Sequence, residues 1–276
     1  SSTGQADAFF SKFDSSGNFI YASTWGGSSN DFGRAIATDG SSNLYVAGDF
    51  TGAVDMDPGS GTYQLTSHSG GTDVFLSKFN SAGNFLWSVN WDATTTDILI
   101  DLSGNIYVSG FFEGMVDFDP SPGVQNLTSN GDVDVFLSKL SPSGVFVRAL
   151  GWGGSSADTA SRLAVDSLGY IYVTGKFRYY ADLDPGPGTV NINTVGDYDA
   201  FLSKFDSSGT LVWVRTLGGE YMDEVFGVAT YGSSFVYMTG YFESIVDFEP
   251  GPYADVHISN GDTDAMLIKY LQNGTW

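Results

Sequence analysis

An all-β fold assembled from repeated four-stranded units is predicted by three observations. The string Asp-Ala-Phe-Phe-Ser-Lys at Asp7 returns in close form at Asp73, Asp134, Asp199 and Asp264, at spacings of 66, 61, 65 and 65 residues. A second marker keeps the same register: Trp25, Trp91, Trp152 and Leu217 each lie 18 residues after the anchoring Asp, and Asp31, Asp97, Asp158 and Asp223 follow six residues later. No segment carries helical periodicity over 11 residues. Self-similarity at a fixed period is the signature of repeat architectures, so the repeat, and not the single strand, is the unit to be explained.

Each period reads as two hairpins. Arg34 to Thr38 and Leu44 to Gly48 are β-prone runs across the turn Asp39-Gly40-Ser41-Ser42-Asn43. Val74 to Phe79 and Phe85 to Val89 repeat the pattern across Asn80-Ser81-Ala82-Gly83-Asn84. Between the hairpins lies a loop with the core Val54-Asp55-Met56-Asp57-Pro58-Gly59, which returns as Val116 to Pro120, as Asp182 to Gly188, and as Val246 to Pro252. From the later Asp to the Gly closing the next strand takes 17 residues in three repeats (31 to 48, 158 to 175, 223 to 240) but 13 in the second (97 to 110). The second crossing is therefore four residues short, around Asp97-Ile98. Four antiparallel strands per unit with long crossings predict a β-propeller, with a stacked solenoid as the weaker alternative. The inner strands fall around Ile36, Leu99, Leu163 and Val228, which gives one domain over residues 1–276 with about four blades. Residues 7–25 are an extra outer hairpin. Pairing it into the sheet that contains Val236 to Gly240 closes the ring from its N- and C-terminal segments and covers free edges, with one strand left over.

Composition narrows the function. The chain has 276 residues, 42% hydrophobic and 15% aromatic, enough for a buried core. Its formal charge of −21 is the wrong sign for nucleic acid or an anionic membrane. Without Cys there are no disulfides, thiolate metal sites or Cys nucleophiles. No apolar run is long enough to span a membrane, and no signal peptide stands at Ser1, so any export signal is expected to be removed or to lie outside this chain.

The units centred on Ile106 to Gly110 (Ile-Tyr-Val-Ser-Gly), Asp134 to Lys139 (Asp-Val-Phe-Leu-Ser-Lys) and Trp152 to Asp158 (Trp-Gly-Gly-Ser-Ser-Ala-Asp) resemble the bacterial SBBP β-propeller repeat family, and the likeness runs from about Asp7 onward. The resemblance implies a part of a large exported or cell-surface bacterial protein, from a family with no common enzymatic activity. A shared fold does not carry a function with it.

The residues themselves point away from catalysis. His68 and His257 occupy non-equivalent positions, neither lies in a metal spacing, and no Ser sits in G-x-S-x-G. Paired carboxylates can run glycoside hydrolysis, but a residue copied into every repeat generally serves the repeat. The loop carboxylates Asp55/Asp57, Asp117/Asp119, Asp182/Asp184 and Asp247/Glu249 lie two residues apart, on one face of an extended segment, next to Pro-Gly carbonyls. That makes them candidate ligands for Ca²⁺, with turn capping as the plainer reading that common loop chemistry favours. A second Asp-x-Asp occurs at Asp132/Asp134, Asp197/Asp199 and Asp262/Asp264. Lys12, Lys78, Lys139, Lys204 and Lys269 share one repeat position, where pairing with carboxylates is expected over an anion-binding ring. Trp25, Trp91 and Trp152 are expected between blades, with sugar stacking as the alternative. The leading expectation is a noncatalytic extracellular or cell-surface module for protein or glycan contact, not an enzyme, with Ca²⁺ as the candidate ion. A lectin-like propeller and a glycoside hydrolase are the rivals.

Overall fold

The computed structural model describes residues 4–249 and 253–276, so Pro250, Gly251 and Pro252 of the last acidic loop, and the first three residues of the N-terminal segment, lie outside the described residues. The described chain is strand, turn and loop, with one 3-10 turn at His68–Gly70. A hairpin comes first, β1 (Ala8–Phe13) with β2 (Phe19–Trp25). The first four-stranded blade follows: β3 (Phe32–Thr38), β4 (Leu44–Thr51), then a short ribbon of β5 (Ala53–Asp55) and β6 (Gln64–Thr66), then β7 (Thr72–Phe79) and β8 (Phe85–Trp91). The second repeats this with β9 (Thr94–Ile100), β10 (Ile106–Phe112), the ribbon β11 (Met115–Asp117) and β12 (Asn126–Thr128), β13 (Asp134–Leu140) and β14 (Phe146–Gly154). In the third, β15 (Thr159–Val165), β16 (Ile171–Asp182), β17 (Asn191–Phe205) and β18 (Leu211–Leu217), the ribbon is continuous with the central strands, and β14 pairs with β16 at Gly153 and Gly154, so the second and third repeats share one eight-stranded sheet. The fourth has three strands, β19 (Glu224–Tyr231), β20 (Phe235–Asp247) and β21 (Val256–Leu271).

The four inner strands β3, β9, β15 and β19 fall where the repeat places them. Ring closure by strand pairing does not occur among the described residues: β1 and β2 pair only with each other, and the sheet holding Val236 to Gly240 is β19-β20-β21. The reason lies at the free edge of β21. In the other blades that edge belongs to the return strand of the same hairpin, and here too the chain turns back on itself, with Leu271 N donating to Thr275 O (2.8 Å) and Gly274 N to Leu271 O (2.9 Å). A foreign hairpin would have to displace that turn.

The chain folds as two compact units, one of the described residues up to Val108 with Val116–Asn126 and Ser138–Arg148, the other of Ser109–Met115, Leu127–Leu137 and the described residues from Ala149 onward. Each has its own core. In the first, Phe10, Trp25, Phe50, Phe75 and Phe79 cluster; in the second, Tyr172, Leu202, Val236, Phe242 and Met266 do. The marker aromatics are core residues: Trp25, Trp91 and Trp152 are all buried, and Trp152 lies 5.2 Å from Phe205, ring centre to ring centre. The short second crossing is visible as two residues between β8 and β9, against six between β2 and β3. That shortening corrects one equivalence. Asp97 lies within β9, half-buried, accepting from its neighbour Ile98 N (2.9 Å), and does not occupy the crossing position that Asp31, Asp158 and Asp223 fill.

Candidate functional site: acidic ribbons and blade seams

The alternation Val-Asp-x-Asp puts the apolar residues on one face of each ribbon and the carboxylates on the other. Val54 and Met56, Val116 and Phe118, Ala181 and Leu183, Val246 and Phe248 are all buried, anchoring the ribbon to its blade. The first Asp closes the loop. Asp55 Oδ1 accepts from Asp57 N (3.1 Å) and Tyr63 N (2.8 Å). Asp117 does the same with Asp119 N (3.1 Å) and Gln125 N (2.8 Å), Asp182 with Asp184 N (3.1 Å) and Val190 N (2.8 Å), and Asp247 with Glu249 N (3.1 Å) and Asp255 N (2.9 Å). The second Asp caps the tip: Asp57 and Asp184 accept from Gly59 N and Gly186 N, each at 2.8 Å, and Asp119 from Ser121 N at 2.9 Å. Each pair is thus brought together on one ribbon, but its two carboxylates serve different amides. Among the described residues no group of three or more His, Asp or Glu side chains is placed to hold a metal ion. Beside the first ribbon a cleft of about 400 Å³ is lined by Tyr21, Asp57, Ser60, Gly83, Asn84 and Phe85.

A different set of carboxylates lies at the crossings. Asp158 Oδ2 accepts from Gly154 N (2.6 Å) and its Oδ1 from Arg178 N (2.9 Å), tying the crossing to the next inner hairpin. Asp223 repeats this with Gly219 N (2.7 Å) and Glu243 N (3.1 Å). Each faces the Asp that opens an outer strand. A Cβ on Gly153 would sit 2.7 Å from both Asp134 Oδ1 and Asp158 Oδ2, so only glycine lets the two carboxyls meet across the chain. The next residue, Gly154, passes against the Tyr180 carbonyl, which accounts for the paired glycines of the crossing motif. Asp134 Oδ1 and Asp199 Oδ1 are buried without a hydrogen-bond partner among the described residues. Burial pushes Asp134 up to about 6 and Asp158 up to about 7, the latter against the pull of its two amides and with the Asp134 charge adding to it. Burial likewise raises Asp199 and Asp223 to about 6.

Residues 24–49 and 145–176, which span a crossing and an inner hairpin, match the family described as SBBP, Beta-propeller repeat. These two segments are similar to the SBBP repeat. Regulatory protein FlaEY of Caulobacter vibrioides is 25% identical over 228 residues, 80% of this chain and 23% of that protein. The uncharacterized WD repeat-containing protein L264 of Acanthamoeba polyphaga mimivirus is 25% identical over 234 residues, 72% of this chain and 16% of that one. The chain spans less than a quarter of the length of either relative.

Other repeated positions are employed in contacts between successive hairpins. Lys12, Lys78 and Lys204 donate to the turn carbonyls of Ser81 (2.9 Å), Pro142 (3.1 Å) and Gln272 (3.0 Å) in the following hairpin. Carboxylate pairing, the expected partner, is marginal: Lys78 Nζ is 3.9 Å from Asp39. The second Asp-x-Asp does not converge, since Asp134 and Asp199 are buried while Asp132 is exposed and Asp197 pairs with Arg178 at 2.7 Å. His68 Nδ1 lies 2.7 Å from buried Asp73, which also accepts from Asn90 (2.6 Å); His257, at the exposed start of β21, lies 3.0 Å from Asp255 just before that strand. The crossing carboxyl pairs are what sequence reasoning missed. The signal was present in the constant offset between Asp134, the Gly-Gly pair and Asp158.

Proposed function

We propose that the chain is a noncatalytic interaction module whose SBBP repeats hold acidic ribbons and hairpin turns in fixed, repeated positions for a protein partner. The observation that carries this reading is the fourfold use of one ribbon geometry, with the same two amides closing each loop onto its leading Asp. A rigid loop loses little entropy when it binds. With a formal charge of −21, the partner's complementary surface is basic. The regulatory relative supports a protein partner. The family resemblance supports an extracellular or cell-surface location, which fractionation of the source cells tests. Calcium bound at the ribbon pairs belongs to this proposal only as a stiffening ion. The test is affinity capture with the wild type and with a variant carrying Asn at Asp57, Asp119 and Asp184. A basic partner held by the first and released by the second, at equal thermal stability, supports the reading; binding on a glycan array, or turnover of chromogenic glycosides, favours the lectin or the hydrolase instead.

A further inference from the structure

The cleft beside the first ribbon is lined by residues that the later repeats do not copy. Tyr21 stands where the next two repeats have Trp87 and Arg148, and Ser23 where they have Val89 and Leu150. Asn84 stands where they have Val145 and Thr210, and at the ribbon tip Ser60 takes the place of Pro122 and Pro187. All four line one cleft of about 400 Å³, toward the small end of the range of about 300–1,000 Å³ that ligand sites occupy. A residue copied into every repeat serves the repeat; four uncopied residues that converge on one cleft serve something else.

Two of the lining side chains keep open acceptors. In the turns led by Asp14, Asp39 and Asp101, the Asn four residues on donates its side-chain amide to the leading carboxylate at 2.8 Å. At the cleft the leading residue is Asn80, whose Oδ1 accepts from Ala82 N and Asn84 N, each at 3.0 Å, and the Asn84 side chain makes no hydrogen bond among the described residues. Asp57 Oδ1 accepts from Gly59 N at 2.8 Å, while its Oδ2 lies against Gly61, too close for any Cβ there, and accepts from no group among the described residues. Aromatic rings flank these oxygens: Tyr21 lies against Gly83, and Phe85 is 5.1 Å from Tyr63, ring centre to ring centre. No Lys, Arg or His lines the cleft, and Lys12, 5.7 Å from the Tyr21 ring, is held on the Ser81 carbonyl at 2.9 Å.

We propose that this cleft takes a guanidinium group, an arginine side chain of the basic partner; the source of the group rests on the interaction-module reading above. A guanidinium carries only donors, in a flat fork, and Asp57 Oδ2 and Asn84 Oδ1 are the acceptors it needs. Its weakly hydrated face suits aromatic walls, as the compact, strongly hydrated ammonium of Lys does not. The net charge of −21 draws a cation toward the cleft and does nothing for a neutral, hydroxyl-rich ligand such as a sugar. The second and third ribbons have no counterpart of Ser60 or Asn84, so the site is specific to the first.

Nuclear magnetic resonance titration of the isotope-labelled full chain with N-acetylarginine amide, at constant ionic strength, tests it, with methyl glucoside as the second probe. The arginine probe saturably shifts the Gly59 and Gly61 amides and the Asn84 side-chain amide, and leaves Gly186 and Gly188 of the third ribbon unmoved. Asp57→Asn, which keeps an oxygen for the Gly59 amide, weakens binding about tenfold, the loss of one charge-assisted hydrogen bond. Asn84→Val weakens it by a smaller factor, and Asp184→Asn leaves it unchanged. The proposal is overturned by the absence of a saturable shift, by equal shifts at every ribbon, by an Asp57→Asn or Asn84→Val variant that binds as the wild type does, or by methyl glucoside moving these amides where the arginine probe does not. The probe needs no partner protein, so failure here leaves the module reading to the capture experiment, and failure of that experiment leaves the cleft's preference for a guanidinium standing.

Discussion

The ribbon carboxylates and the crossing carboxylates are the same residue copied into successive repeats, and they live under opposite conditions. Asp55, Asp117, Asp182 and Asp247 sit at a partly exposed loop mouth, each taking two amides on one oxygen, so water still reaches the charge. Asp158 and Asp223 take two amides as well, but fully buried and facing a second buried carboxyl. At the crossings burial, helped by the facing carboxyl, raises Asp158 and Asp223 against the pull of their amides. Periodicity alone therefore does not say what an acidic residue does, because a cap and a proton store are written with the same letter.

The largest effect expected from breaking this contrast is at the crossing. Asp158→Ala leaves two amides in a buried seam without acceptors and costs about 2–4 kcal/mol in urea unfolding at pH 5. Gly153→Ala comes next, because its methyl would sit 2.7 Å from two carboxyl oxygens; forcing them apart costs about 1–3 kcal/mol. In the ribbons, Asp182→Ala loses the two bonds that close the loop and costs about 1–2 kcal/mol, while Asp184→Ala, which gives up one exposed tip bond, costs less than about 1 kcal/mol. A ribbon variant as damaging as the crossing variant would erase the distinction. The smallest expected effect is that of calcium. If capping is the ribbon carboxylates' whole role, the melting temperature is the same in chelator and in millimolar calcium at constant ionic strength. A rise abolished by Asp182→Asn with Asp184→Asn would make the ribbons cation sites.

Much of this was open to sequence reading because repetition exposes it. The inner strands, the buried Trp25, Trp91 and Trp152 and the ribbon alternation follow from register and period, which are local. The meeting of Asp134 with Asp158 is not local: it needs the crossing to fold back over its own outer strand, and the hint was a glycine whose missing Cβ makes room. Asp97 misled because counting from Trp91 ignores where the four residues were lost; the deletion drew it into β9. The expected closing sheet failed for a comparable reason. Covering an edge is a general need, but which strand covers the edge of β21 is set by the turn at Gly274.

The measurement that bears most directly on the contrast is unfolding stability as a function of pH. Asp134, Asp199 and Asp223 are raised to about 6 and Asp158 to about 7, against an ordinary Asp value of 3.8. A raised carboxyl binds its proton more tightly when folded, so its stabilisation is complete below about pH 4 and is lost as pH rises through 6 and 7. Each crossing pair contributes on the order of 3 kcal/mol to that loss. Urea unfolding of the wild type is therefore expected to give a higher stability at pH 5 than at pH 8, and Asp158→Asn with Asp223→Asn to flatten the slope. A wild-type stability that stays level or rises between pH 5 and pH 8 would contradict the account, because burial would then not be holding protons on the crossing carboxyls.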